Sequence, residues 1–238
     1  MKHLVYCSMR EHIVGTDYEQ LPDSYLQDEW SAMLLSNQIN PDKIRKKDGK
    51  LLRSMFRGWL HKRVGMFYKI ENDPVNDHPS TRERKPYAKE LYDWLRHDSV
   101  LDIGCGVNIL LIPSFDRYIG VDLMRMYLDI VQAHGGETFH HRADDPDFLR
   151  GLPPCNVAYM FKLLDLVEKN GHKMAESMID AVPCKEVVVS FPTKTLSGKP
   201  MNHPQRGWVL RMCERRGWDV EEKMFYNEVY YRVTKISA

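Results

Sequence analysis

The sequence has few cysteines, only short apolar runs and almost no net charge. Its five cysteines are widely spaced and include no Cys-x-x-Cys pair, so neither a disulfide framework nor a zinc site is predicted. Apolar runs such as Ile109 to Ile112 are far too short to cross a bilayer. We therefore expect a protein of the reducing cytoplasm, with no membrane partner and no metal, and we expect it to be a monomer.

The net charge of +1 hides a strong separation of charge along the chain. Residues 1 to 42 carry two basic and seven acidic side chains, whereas residues 43 to 69 carry ten basic side chains and one acidic side chain, Asp48. A basic block of this density predicts a polyanionic partner.

Apolar residues recur every three or four positions from Ile44 to Phe67, which predicts one long amphipathic helix. Leu51, Met55 and Trp59 should share its buried face. The opposite face should carry a row of basic residues, here called the basic stripe: Lys46, Lys50, Arg53 and Arg57. The basic stripe is either a phosphate-binding surface or the solvated outer face of the helix.

The stretch from 71 to 79 is rich in turn-forming residues and predicts a linker. We therefore place an N-terminal helical domain at residues 1–78 and a second domain at residues 79–238. The second domain should begin with a helix from Ser80 or Thr81 through Arg96, and a later helix should run from Gln205 to Arg215.

From Ser99 onward, short apolar runs alternate with helical segments, a pattern typical of an α/β fold with a parallel sheet. Strands are predicted near 99–103, 117–121, 137–141, 156–161 and 185–191. Residues 220–225 and 229–234 should form a C-terminal antiparallel hairpin. This combination predicts the Rossmann-like sheet of methyltransferases that depend on S-adenosylmethionine (SAM), with the small helical domain added at the N-terminus.

The first predicted strand ends in Asp102 and a glycine loop, where backbone can approach a ligand closely. The second strand ends in Asp122, a carboxylate placed to accept both ribose hydroxyls of an adenosine. The third glycine of the dinucleotide fingerprint is missing, since Asn108 and Ile109 occupy that region. Because SAM has no pyrophosphate to cradle, SAM is the predicted cofactor. Its predicted contacts here are Asp102, Gly104, Cys105, Gly106, Asn108, Asp122 and Leu123.

Two further segments should face this site. Asp144 and Asp145 follow the third strand, where they could accept the adenine amino group or cap a helix beginning at Pro146. Phe161 to Leu164 end the fourth strand and should face the methyl donor. This segment differs from the Asn/Asp-Pro-Pro-Tyr/Phe motif of exocyclic-amine methyltransferases, so adenine-N6 chemistry is disfavoured.

Four segments together resemble the aminoglycoside-resistance 16S rRNA guanine-N7 methyltransferases of the Arm or FmrO type. They are His78 to Arg84, Val100 to Asn108, Phe161 to Leu164 and Val189 to Gly198, and they occur in the family's order and spacing. The resemblance runs from about Leu60 to the C-terminus. It implies SAM-dependent methylation of the small ribosomal subunit, a resistance function, and a basic N-terminal region that grips the subunit.

The resemblance also implies roles for individual residues. Arg84 would pair with the methionine carboxylate of SAM, and Ser80 and Phe67 would lie beside the cofactor. The residue types alone leave open a satisfied surface arginine at Arg84 and a core aromatic at Phe67. Phe161, another predicted cofactor contact, and Lys162 would position the reacting groups. In addition to the basic stripe, the predicted RNA contacts are Lys194, Lys199 and Arg206.

The chain departs from the family's pattern in two places. It has Asn108-Ile109 where the family has Asn-Pro. It also has Lys194-Thr195-Leu196-Ser197-Gly198-Lys199 where the family has Arg-Ser-Leu-Gly-Gly-Arg. Because that loop lies near the target base in the family, the identity of the methylated nucleotide is left open.

No Ser-His-Asp or Cys-His arrangement is recognisable, and His140 and His141 are predicted to be structural. Guanine N7 has a lone pair and no proton, so methylation there requires positioning but no general base. Phe161 and Trp208 could hold an extruded base, although Trp208 fits a core position equally well.

Two competing interpretations come from different classes of protein. A small-molecule methyltransferase needs an apolar lid, and the basic stripe disfavours it. A non-catalytic ribosome-binding protein would bind no SAM, and the intact Gly104, Gly106 and Asp122 disfavour that interpretation.

Overall fold

The computed structural model describes residues 9–64, 70–168, 171–195, 198–201 and 204–236. Phe67 and the side chain of Lys46 lie outside this part of the chain. Within the described ranges, no helix combines the length and the apolar character needed to span a membrane.

A seven-stranded sheet forms the centre of the protein, in the order β3-β2-β1-β4-β5-β7-β6. Its strands are β1 Ser99–Ile103, β2 Arg117–Asp122, β3 Glu137–His140, β4 Val157–Phe161, β5 Glu186–Pro192, β6 Asp219–Phe225 and β7 Glu228–Thr234. Strands β1 to β5 pair in parallel, and β7 inserts antiparallel between β5 and β6. The predicted α/β sheet, parallel with a C-terminal antiparallel hairpin, is confirmed, and every predicted strand is present.

Ten α-helices flank the sheet or precede it in the described residues. They are α1 Asp23–Ser36, α2 Gly49–Val64, α3 Pro74–Asp77, α4 Pro79–Arg84, α5 Ala88–Leu95, α6 Arg125–Ala133, α7 Pro146–Arg150, α8 Leu164–Val167, α9 Lys173–Ala181 and α10 Gly207–Arg216. Helix α10 matches the predicted helix near 205–215. The stretch predicted as an irregular linker contains the short helix α3, which Asp73 caps through the backbone N–H groups of Val75 and Asn76.

The predicted basic helix begins later than expected. Helix α2 starts at Gly49, and Lys46 lies in a separate 3₁₀ turn, Lys46–Asp48. The predicted buried face is also wrong at Leu51, whose side chain is 64% exposed. The residues of α2 that are buried instead are Leu52, Phe56 and Leu60. Packing against α1 selects that face, where the Phe56 ring meets Trp30 edge-on at 4.9 Å.

The helix predicted from 80 through 96 is broken into α4, a 3₁₀ turn at Lys85–Tyr87, and α5. Pro86 explains the break, because proline lacks the backbone N–H that a continuous helix would donate to the carbonyl four residues earlier. Arg96 closes α5 in the left-handed conformation, and its N–H donates to the Tyr92 carbonyl.

The N-terminal helices share a hydrophobic cluster with residues that follow β1 and β2. Trp30 and Phe56 belong to the same buried cluster as Val107, Met124 and Tyr127. Val107 follows the glycine loop, and Met124 follows the end of β2. The helical unit therefore packs at the carboxyl ends of the parallel strands, the edge at which α/β sheets bind ligands.

Candidate active site

The glycine loop after β1 leaves no room for side chains at two positions. Gly104 and Gly106 have φ angles of 70° and 49°, in the left-handed region that favours glycine. A Cβ on Gly106 would lie 2.8 Å from the His78 ring, and one on Gly104 would lie 3.0 Å from Leu163 Cδ1.

Asp122 ties the glycine loop to the end of β2. Its carboxylate accepts the N–H of Gly106 at 3.0 Å and the N–H of Met124 at 2.9 Å. Burial raises the pKa of Asp122, and the backbone hydrogen bonds oppose that rise. Each carboxylate oxygen keeps a lone pair for a further donor such as a ribose hydroxyl.

Asp102 lies beneath the loop. Its Oδ2 accepts from Tyr118 Oη at 2.7 Å and from Asn108 Nδ2 at 3.0 Å. Burial raises the pKa of Asp102 to about 7, although the hydrogen bonds from Tyr118 and Asn108 lower it. Its Oδ1 is a buried acceptor with no hydrogen-bond partner in the described part of the chain. Asp102 therefore orients the Asn108 side chain through Oδ2, while its Oδ1 is left without a hydrogen-bond donor among the described residues.

Arg84 is buried, with only 2% of the residue exposed, so it is not a surface arginine. Its Nη1 donates to Asn108 Oδ1 at 2.5 Å, and its Nη2 donates to Glu228 Oε1 at 3.1 Å. Its guanidinium also donates to Tyr230 Oη and lies 4.7 Å from the centre of the Phe161 ring. These contacts use three of the five N–H groups of Arg84 and leave one on Nη1 and one on Nη2.

Glu228 is the carboxylate that sequence reasoning missed. It is fully buried, and it accepts from Tyr87 Oη at 2.9 Å while also contacting Ser190 Oγ. Burial alone would raise its pKa, but the charges of Arg84 and Lys162 outweigh that effect and lower it to about 2. No local pattern marks Glu228, since Arg84 is 144 positions away in the chain.

Lys162 holds a strained position between two carboxylates. Its φ is 53°, and its Nζ lies 2.6 Å from Glu83 Oε2 and 3.3 Å from Glu228 Oε2. Its backbone N–H donates to the Ser190 carbonyl at 3.0 Å. Left-handed geometry in a residue other than glycine is unfavourable and concentrates at functional sites.

Gly104, Gly106, Arg84, Asp122 and Lys162 line one cavity of about 290 Å³ at the carboxyl edge of the sheet, whereas Asp102 and Glu228 are fully buried and do not line it. The predicted site residues that line it are Ser80, Arg84, Gly104, Cys105, Gly106, Asn108, Asp122, Leu123, Asp144, Phe161 and Lys162. Lining residues that the prediction missed include Tyr25, Glu29, Arg63, His78, Tyr127 and His141. The first three come from α1 and α2, so the N-terminal helices supply part of the wall.

The predicted adenine contacts differ in position. Asp144 lines the cavity and pairs with Arg142 at 2.8 Å. Asp145 caps α7 instead, since its Oδ1 accepts the N–H of Phe148 at 3.1 Å. Of the two predicted alternatives, helix capping therefore applies to Asp145, whereas Asp144 lies in the cavity wall.

His78 is kept neutral at the cavity wall. Burial lowers its pKa to about 4, and the charges of Arg84 and Lys162 add to the effect. Its Nδ1 lies 2.9 Å from Thr81 Oγ1 at the start of α4. A neutral imidazole adds no positive charge beside a cationic ligand.

Neither candidate aromatic is arranged as a free surface for a base. Phe161 is buried, with Arg84 over its ring and Tyr159 stacked against it at 4.8 Å. Trp208 is half-buried and packs on Phe191, so it occupies the core position. Among the described residues, no group of three His, Cys, Asp or Glu side chains is arranged to hold a metal ion.

Comparison with known families agrees with this geometry. The family model for the ribosomal RNA methyltransferases (FmrO) matches residues 72–231. The chain belongs to this family. The resemblance drawn from the four sequence segments is thereby confirmed.

Two named 16S rRNA methyltransferases are similar to this chain over part of its length. A 16S rRNA (guanine(1405)-N(7))-methyltransferase of Frankia casuarinae is 28% identical over 174 residues, which cover 66% of this chain and 61% of that protein. One of Micromonospora rosea is 31% identical over 175 residues, covering 66% of this chain and 63% of that protein. The chain thus spans a little over three fifths of the length of these relatives.

Solved structures extend the likeness in fold to the N-terminal helices. The 16S rRNA methylase RmtB superposes with a TM-score of 0.73 at 19% identity, covering 98% of both chains. The 16S rRNA methyltransferase RmtF, solved with S-adenosyl-L-homocysteine, superposes with a TM-score of 0.71 at 21% identity. That superposition covers 99% of this chain and 100% of RmtF.

The RNA contacts predicted for this FmrO-family chain are not equally exposed. Lys50 and Arg53 point to solvent on α2. Arg57 is half-buried and donates to the carbonyl oxygens of His12 and Val14 at 3.1 and 3.0 Å. Arg57 therefore ties α2 to the preceding segment rather than standing free for a phosphate.

The predicted contacts in the loop after β5 divide in the same way. Lys194 and Lys199 are exposed. Arg206 instead pairs with Asp165 on α8 at 2.6 Å. Two of the three basic side chains of this loop thus face solvent.

Proposed function

We propose that this protein uses SAM to methylate N7 of a guanine in the decoding region of small-subunit rRNA and thereby confers aminoglycoside resistance. The observation that carries the proposal is a single cavity joining the glycine loop, Asp122 and buried Arg84. The family assignment supports it, as do relatives named as guanine-N7 methyltransferases of 16S rRNA.

The cavity suits SAM in three respects. The glycine loop provides a cradle that a Cβ would fill, and Asp122 offers acceptors for ribose hydroxyls. Arg84 keeps unused N–H groups for the methionine carboxylate. When bound there, SAM supplies an electrophilic methyl group on a sulfonium.

The chain's own residues then need only orient the target. Guanine N7 attacks the SAM methyl group with its lone pair, and the bond from N7 to the methyl carbon forms as the bond from that carbon to sulfur breaks. Because N7 carries no proton, no general base is needed. Glu83 and Glu228 fix the Lys162 ammonium at the wall. Because its pKa is lowered to about 4, the His78 imidazole is a weak proton acceptor, which fits a site in which no base has to act.

The product tests the proposal. Labelled SAM would be incubated with small subunits, free rRNA and a metabolite pool, and the subunit rRNA should take up the label. Because N7-methylguanine has a labile glycosidic bond, borohydride and aniline should cleave the strand at one position. Cells that express the chain should survive gentamicin- and kanamycin-type drugs, whereas cells expressing Asp122→Ala should not. A methyl on adenine N1, on a ribose or on a metabolite would overturn the assignment.

Asp122→Ala should weaken SAM binding by about 1 to 3 kcal/mol, because it removes charge-assisted hydrogen bonds and the link between Gly106 and Met124. Isothermal titration calorimetry measures the loss. Asp145→Ser is the matched control, since it keeps a helix-capping oxygen outside the cavity and should leave SAM affinity unchanged. Equal affinities for Asp122→Ala and the unaltered protein would remove Asp122 from the site.

Reversing Lys50 and Arg53 to Glu should reduce subunit binding while leaving SAM affinity and Tm nearly unchanged, because both side chains are exposed on α2. Each lost phosphate contact should lower the salt slope of binding by about one unit. Lys185→Glu is the control, since Lys185 is exposed at the opposite edge of the sheet, before β5. If the variant with both reversals bound small subunits with unchanged affinity and unchanged salt dependence, the basic stripe would be only a solvated face of the helix.

A further inference from the structure

The turn of the C-terminal hairpin presents an exposed aromatic ring. Phe225 pairs with Glu228 at the ends of β6 and β7, so Tyr226 and Asn227 form a two-residue turn. Tyr226 is 79% exposed and has a φ of 52°.

The fold does not account for tyrosine at this position. A two-residue hairpin turn with a positive φ favours Gly, Asn or Asp, and an aromatic residue is strained there. A ring that is 79% exposed returns little packing in exchange. Strained residues that the packing does not explain mark functional positions.

The turn lies at the cavity's edge of the sheet. Glu228, two residues after Tyr226, contacts Arg84 and Lys162 at the cavity wall. The Asn227 carbonyl also accepts the N–H of Thr193 at 2.8 Å, which joins the turn to the loop after β5.

The surroundings of the ring are basic. Lys194 Nζ lies 5.7 Å from the centre of the Tyr226 ring. Residues 193 to 206 include Lys194, Lys199 and Arg206 but no acidic residue, and both lysines are exposed. An exposed aromatic ring beside an exposed lysine is a combination that can stack an unpaired base and hold its phosphate. Protein interfaces, by contrast, are depleted in lysine.

Building on the proposed function, we propose that Tyr226 is a stacking surface for an unpaired nucleobase of small-subunit rRNA next to the target guanine. Lys194 holds the phosphate of that nucleotide. Tyr226 thus helps to select which guanine enters the cavity.

Two substitutions separate stacking from folding. Tyr226→Asn places a residue suited to positive φ in the turn, so Tm should stay the same or rise. SAM affinity should not change, but the KM for small subunits should rise by about tenfold or more as base stacking is lost. Tyr226→Phe keeps the ring and should retain a KM close to that of the unaltered protein.

The failures are distinguishable. If the unaltered protein does not methylate small subunits, the proposed function fails, and this inference fails with it. If it does methylate them and Tyr226→Asn has an unchanged KM, only the inference is overturned. A KM raised equally in Tyr226→Phe would assign the contact to the hydroxyl and would also overturn stacking.

A photoreactive phenylalanine analogue at position 226 distinguishes RNA from protein as the partner. Irradiation on small subunits should join it to one rRNA nucleotide close to the methylated guanine. A crosslink to a ribosomal protein instead, or no crosslink to RNA, would overturn the proposal.

Discussion

Arg84→Met should destabilise the folded protein by about 3 kcal/mol, because it leaves the Glu228 carboxylate buried without its main cation. Lys162 and Ser190 still contact Glu228 in this variant, which holds the expected loss at the low end for a broken buried pair. SAM binding should fall as well, since Arg84 lines the cavity. Urea unfolding at neutral pH measures the first effect, and calorimetry measures the second.

Two further variants make this prediction specific. Arg82→Met removes an exposed arginine two positions earlier on the same helix and should change stability by no more than about 0.5 kcal/mol. Adding Glu228→Gln to Arg84→Met removes the stranded charge and should restore part of the lost stability. A double variant no more stable than Arg84→Met would show that the buried charge is not the cause.

The ion pair between Arg84 and Glu228 also predicts that the stability of the folded protein falls in acid. The pKa of Glu228 is lowered from its ordinary 4.5 to about 2 in the folded protein. The stabilisation is therefore complete above the unfolded pKa of about 4.5, and it is lost as the pH falls toward 2. In Arg84→Met this part of the acid-induced loss should shrink, and urea unfolding between pH 5 and pH 2 would show the difference.

Gly106→Ala should reduce SAM affinity by at least about tenfold and destabilise the protein by about 1 to 3 kcal/mol. The added Cβ would lie 2.8 Å from the His78 ring. That ring cannot simply turn away, because it packs edge-on against Tyr127 at 5.2 Å and contacts Thr81. The loop must shift instead, and with it the N–H that Asp122 accepts. Calorimetry with SAM and thermal unfolding measure the two effects.

Gly135→Ala is the matched control. Gly135 has a φ of 82°, and a Cβ there would meet nothing within 4 Å. It should cost about 1 kcal/mol of stability through backbone strain alone and leave SAM affinity unchanged. Because His78 supplies the clash, His78→Ala in the Gly106→Ala background should recover part of the affinity. If both alanine variants bound SAM equally well, the close backbone approach at Gly106 would not define the site.

The strand ends were predictable because their signals are local. An apolar run followed by Asp102 and the glycine loop, and another followed by Asp122, determine both the strand and the ligand edge within a few residues. The seven strands follow from such patterns, as do the cavity residues Gly104, Cys105, Gly106 and Asn108. The inward face of α2 was not predictable in this way, because Leu51 and Leu52 are equally apolar and only the packing of α1 selects between them.

The sequence by itself determined the sheet, its C-terminal hairpin, the glycine loop, the carboxylate at the end of β2 and the family. Each of these depends on short segments of neighbouring residues, whose pattern can be recognised without the fold. Only the tertiary structure decided that Arg84 is buried against Glu228, that Arg57 is used internally and that Tyr25 and Arg63 reach the cavity. These contacts join residues far apart in the chain. Their energies depend on burial and on the charges brought alongside, which no local pattern records.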